Sequence, residues 1–123
     1  MSLALQESPP NSLVLLDEFG KGTPAADGLA LLAACLNTFA FRGAACPHLV
    51  LATHYRNLRR YIVDSPIVKF LSFEYIISEG EPVFLFRLAE GEGGSSLARA
   101  GAAAAGVAPP VLRRADTVLR ALT

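Results

Sequence analysis

Two unbroken apolar runs with a helical stretch between them set the first half of the chain. Residues 12–18, Ser12-Leu13-Val14-Leu15-Leu16-Asp17-Glu18, carry four apolar side chains in succession and then two carboxylates. That pattern predicts a strand covered on both faces, as in a parallel sheet. A second run of this type, residues 48–53, follows Pro47. Between them, residues 28–41 have the length and the Ala/Leu content of a helix, ended by Arg42-Gly43. Strand, helix and strand in this order predict a right-handed crossover between parallel strands. Ahead of them, residues 1–7 read as a helical end, closed by the break Ser8-Pro9-Pro10-Asn11.

The period changes downstream. Residues 55–61 predict a short basic helix bearing Arg56, Arg59 and Arg60, more a solvated face than a DNA-binding one. Beyond Pro66, residues 68–77 and 82–88 are strand-like, with a hairpin turn at 78–81. The hairpin is expected to complete a mixed sheet as its antiparallel edge. Residues 91–96 read as a flexible polar link that includes Ser95 and Ser96, followed by an alanine-rich helix over 97–105. A Gly/Pro stretch at 106–110 breaks it. The last helix, 111–122, spaces Val111, Leu112, Ala115, Val118, Leu119 and Leu122 by three and four, which gives it one apolar face.

Composition narrows the class without naming a chemistry. An apolar fraction of 52% in 123 residues suffices for one modest core and excludes disorder throughout. The formal charge of zero removes any global attraction to nucleic acid or an anionic surface, so a DNA contact would have to be local. Cys35 and Cys46 have no second pair at metal-ligand spacing and read as reduced thiols. The longest apolar stretch, 29–41, is interrupted by Asn37 and Thr38 and is too short for a membrane span. No basic segment precedes a hydrophobic one at the N-terminus, so a soluble intracellular protein is expected.

The chemistry lies where the first strand ends. Parallel sheets bind ligands at their strand carboxyl ends. An acidic pair there is costly to dehydrate unless it holds a metal, a proton or an activated water. Asp17-Glu18-Phe19-Gly20-Lys21-Gly22-Thr23, continued by Pro24-Ala25-Ala26-Asp27-Gly28-Leu29-Ala30 and joined downstream by Ala52-Thr53-His54-Tyr55, resembles the second half of the MutS-family ATPase domain. Phe19 and Lys21 make the motif most similar to the eukaryotic meiotic branch of that family. The resemblance implies part of a P-loop NTPase sheet of the ABC-type ATPase class, α/β, with parallel strands plus an antiparallel hairpin and a C-terminal helix-turn-helix. It divides the chain into residues 1–90, from the Walker B strand to the edge hairpin, and 91–123, a dimerisation segment.

By the same resemblance, Asp17 holds magnesium through a coordinated water and Glu18 orients or deprotonates the attacking water. His54 is a switch histidine that donates to the terminal phosphate of ATP. Thr23 and Asp27 frame the start of the next helix, where residues of their type commonly cap, and the resemblance adds both to the candidate nucleotide-binding residues, with Asp27 in the loop that faces the nucleotide of a second subunit. His48, at the opposite end of its strand, is structural. Arg113 and Arg114 are candidates for subunit salt bridges. The partners implied are a second MutS-family subunit, as a heterodimer, and DNA, with a nuclear location and no membrane.

The chain departs from the family in two places. Leu97 and Ala98 stand where family members carry an aromatic residue and then glycine, and no Gly-x-x-x-x-Gly-Lys-Ser/Thr phosphate loop occurs anywhere. Lys21 does not replace the loop's lysine, because it follows the acidic strand instead of opening a helix. Two other readings stand beside the ATPase fragment: a non-catalytic module whose helices bind a partner, and a piece of another ABC-type DNA-repair ATPase.

Overall fold

A computed structural model describes residues 1–93 and 97–122. Ser95 and Ser96 of the predicted link lie outside the described residues. Helix α1 (Ser2–Glu7), strand β1 (Leu13–Asp17), helix α2 (Ala25–Ala40) and strand β2 (His48–Ala52) form one compact unit that runs to Lys69. Strands β3 (Leu71–Ser78) and β4 (Glu81–Glu90) with helices α3 (Ala98–Ala104) and α4 (Pro109–Leu122) form the second, from Phe70 onward.

In the first unit, β1 and β2 pair in parallel, Leu13 opposite His48 and Asp17 opposite Ala52. The ladder is extended at both ends, where His48 N–H donates to Ser12 O and Glu18 N–H to Ala52 O, each at 3.0 Å. Helix α2 presents Leu29, Leu32, Ala33 and Leu36 at spacings of three and four, which places them on one side. Leu32, Ala33 and Leu58 form the core, with Phe19, Leu51, Tyr55 and Ile62 packed around them. Asn37 is the reason that a polar residue interrupts this apolar helix. Its Nδ2 donates to Tyr61 O and its Oδ1 accepts from Val63 N–H, both at 2.8 Å, so it ties α2 to a segment 24 residues away. Arg42, just past α2, lies over the Phe39 ring and donates to Leu5 O and Ser8 O, which fixes α1.

Several expectations are corrected here. The strands are not covered on both faces: exposure alternates along each, and Leu15 is 68% exposed. A strand's side chains alternate between faces, and the first unit supplies one long helix to cover them. Helix α2 starts three residues before Gly28, after Pro24, whose extended ψ suits a helix entry. The basic helix shrinks to a single 3-10 turn, Leu58–Tyr61, because Leu58 is anchored in the core and Asn37 takes the Tyr61 carbonyl.

In the second unit, β3 and β4 are antiparallel around a two-residue loop. Glu79 and Gly80 have φ of 51° and 77°, the doubly left-handed form that matches strand twist. The register shifts between Phe73 and Tyr75, opposite which Phe86 has a φ of 55°. The expected mixed sheet is not formed: the four strands make two separate two-stranded sheets. A tight turn closes the hairpin at little loop-entropy cost, so it pairs with itself. Helices α3 and α4 are joined by Arg99, whose Nε lies 3.0 and 2.9 Å from the two Asp116 carboxylate oxygens, and Leu112 is buried. The expected break separates α3 from α4, and Pro109 and Pro110 at its end already belong to α4, since the first helical turn needs no N–H donor. Among the described residues, no helix is long and apolar enough to cross a membrane.

Candidate functional site

The parallel ladder places Asp17, Glu18 and His54 at one end of the β1–β2 pair. Asp17 is the last residue of β1, exposed, and opposite Ala52. Glu18 follows with a φ of 48°, a left-handed conformation that a side chain seldom takes and that costs on the order of 1 kcal/mol. Its hydrogen bond to Ala52 O holds it there. The Glu18 carboxylate pairs with Lys21 Nζ at 3.2 Å, with both side chains in water, so the pair is worth little and leaves the carboxylate available.

Beyond Glu18 the chain folds into a glycine turn. Lys21 N–H donates to Glu18 O and Thr23 N–H to Gly20 O, each at 3.3 Å. Gly20, with a φ of 88°, is in a region that glycine enters without strain. The Thr23 hydroxyl donates to Gly20 O at 2.9 Å, and the N-cap of α2 is Pro24, with no side-chain capping bond. Thr23 therefore stabilises the turn and does not cap the helix. Asp27 lies exposed in the first turn of α2, where a carboxylate is favoured by the helix dipole.

His54 is exposed two residues after Ala52, its ring centroid 4.7 Å from that of Tyr55. An open cavity of about 310 Å³ joins this exit of β2 to the start of α2, with Ala25, Ala26, His54, Arg56 and Asn57 in its wall. Arg56 thus borders His54, a placement that its sequence setting among the arginines did not single out. His48 sits at the far end of β2, away from these groups.

The donor set suits a hydrated ion better than a protein-caged one. Among the described residues, no three His, Cys, Asp or Glu side chains gather into a metal cluster. Magnesium keeps most of its waters and takes one or two carboxylates alongside phosphate oxygens, so a single exposed carboxylate at a strand end fits it.

Strand-end carboxylates, a helix N-terminus and a histidine just past the end of the neighbouring strand define an α/β unit with its candidate site at the carboxyl edge of a parallel pair. The chain belongs to the MutS family: the family model for MutS domain V matches residues 1–123. It is 40% identical over 125 residues to MutS protein homolog 5 of Caenorhabditis elegans, covering 99% of this chain and 9% of that protein. DNA mismatch repair protein MutS of Granulibacter bethesdensis is 37% identical over 118 residues, covering 96% of this chain and 12% of its own length. DNA mismatch repair protein MSH3 of Kluyveromyces lactis is 37% identical over 98 residues, or 75% of this chain and 9% of that protein. The chain thus spans only a small part of the length of the relatives that it matches.

Proposed function

We propose that this chain is the closing half of a P-loop, ABC-type ATPase domain, residues 1–90, with a helical dimerisation segment, residues 91–123, from a MutS-type DNA clamp. The observation that carries the reading is the parallel register. Asp17 lies opposite Ala52, and the Glu18 amide bonds the Ala52 carbonyl, which brings both carboxylates to the strand end that His54 leaves.

In this proposal Asp17 holds a water of the magnesium that accompanies ATP. That ion, when bound, neutralises charge on the phosphates. Glu18, raised out of the strand by its left-handed backbone, orients the attacking water and takes its proton. His54 donates to the terminal phosphate, and Thr23, in the turn ahead of α2, and Asp27, in the first turn of that helix, are the further nucleotide-facing residues. The phosphate loop comes from sequence outside this chain. In this reading the whole protein belongs with the meiotic branch of the family, and it is expected to act in the nucleus on recombination intermediates as a heterodimer with a second MutS-family subunit.

The purified chain, lacking a phosphate loop, is expected to turn over no ATP with magnesium present. Sustained turnover that Glu18→Gln abolishes would overturn the half-site reading.

A second reading, a non-catalytic interaction module, is favoured by α4. That helix keeps Val111, Leu119 and Leu122 exposed along one apolar face. An apolar face of this kind suits a partner helix more than water.

A further inference from the structure

Three stretches distant in sequence converge on one atom, the Tyr55 hydroxyl. A Cβ added at Gly28 would overlap that oxygen and lie 3.1 Å from Thr23 Oγ1 and 3.2 Å from Gly20 O. One added at Gly20 would lie 3.0 Å from the same hydroxyl and 3.0 Å from Gly28 Cα. The turn after Glu18 and the first turn of α2 therefore approach at van der Waals distance, and the Tyr55 side chain fills the slot that their two glycines leave open. Gly28 is buried inside a helix, where glycine costs about 1 kcal/mol against alanine, and this contact gives it a reason to be there.

The Tyr55 ring also lies beside His54, with centroids 4.7 Å apart and planes at 34°. Tyr55 N–H donates to Thr53 Oγ1 at 3.1 Å, which tightens the exit of β2. Tyr55 also packs on the Leu32, Ala33 and Leu58 core, so its ring is seated from below.

We infer that Tyr55 is a positioning residue: its hydroxyl, wedged between Gly20 and Gly28, sets the spacing of the acidic turn from the head of α2, and its ring sets His54. Packed interiors transmit small displacements instead of absorbing them. A shift of the Glu18–Thr23 turn therefore moves the tyrosine ring, and with it the histidine. The kinetic part of this inference rests on the ATPase reading above; the geometric part does not.

The test is a double-substitution cycle in the full chain, read by amide hydrogen exchange at Lys21 and Thr23, with the β1–β2 ladder amides as an internal reference. Gly28→Ala is expected to raise exchange at the two turn amides about tenfold while the ladder is unchanged. Adding Tyr55→Phe, which keeps the ring and removes the oxygen, is expected to restore most of the protection. Equal effects of Gly28→Ala with and without the hydroxyl, or no change in the turn, would overturn the inference. In the complete ATPase, Tyr55→Phe is expected to lower kcat several-fold with KM for ATP unchanged; a change in KM alone contradicts the positioning role. If Glu18→Gln leaves turnover intact, the ATPase reading fails, and the exchange cycle still decides the role of Tyr55.

Discussion

The two units of this chain bury apolar surface to different degrees. In the first, α2 lies on a parallel pair and encloses Leu32 completely, with Ala33 and Leu58 beside it. Among the described residues of the second, the hairpin and the terminal helices bury one large side chain, Leu112, while Phe86 is 91% exposed and Phe73 72%. The first unit thus closes a small core, although Leu13 and Leu15 on its strands stay 62% and 68% exposed, and the second leaves more of its apolar faces uncovered. What separates them is a crossover helix: α2 returns its apolar side over the strands that it connects, whereas a two-residue turn brings no helix between the strands of the hairpin. Exposed apolar area on this scale marks surfaces that meet other chains or other parts of a longer one.

Substitutions can break or sharpen that contrast. Leu32→Ala removes a wholly enclosed side chain and is expected to cost about 2–5 kcal/mol in chemical denaturation, against about 0.5 kcal/mol or less for Phe86→Ser. Similar costs at the two sites would erase the distinction between the units. Asn37→Ala deletes both 2.8 Å bonds to the Tyr61–Val63 backbone and leaves those groups to find water. Its expected cost is about 1–3 kcal/mol, with early exchange of the Val63 amide as the local signature. The smallest effect on stability is expected at α4, where Val118 and Leu119 are 43% and 60% exposed. Val118→Asp with Leu119→Asp should shift the unfolding midpoint little and yet abolish co-purification with a MutS-family partner. Retained association would remove the dimerisation role from that face.

Much of this was readable from the sequence, and the failures have a common cause. Runs 12–18 and 48–53 announced parallel strands because four or more apolar residues in succession have few other uses in a short segment, and β1 and β2 form there. The last helix was visible in its three-and-four spacing, and the hairpin in the Glu79-Gly80 turn. Coverage was not visible. A continuous apolar run says that a strand is suited to burial on both sides, but not whether this chain holds the second cover.

At the candidate site, Asp17, Glu18 and His54 were found from the motif, and the register brings their backbones to one edge. Thr23 was misread as a cap, because its hydroxyl has a nearer acceptor in Gly20 O. Local pattern makes Gly28 a helix start and gives Tyr55 no role, since what links them is a contact across 27 positions that no local pattern encodes. Asn37 appeared as an interruption for the same reason.

The central claim is that Asp17 and Glu18 belong to one half of an ATP site, and it is tested most directly by measuring ATP binding and single-turnover hydrolysis together in the full-length protein that carries this chain, with and without Glu18→Gln. The account predicts that the substitution keeps ATP bound and slows hydrolysis by about 10²-fold or more. Hydrolysis at the unsubstituted rate would contradict it.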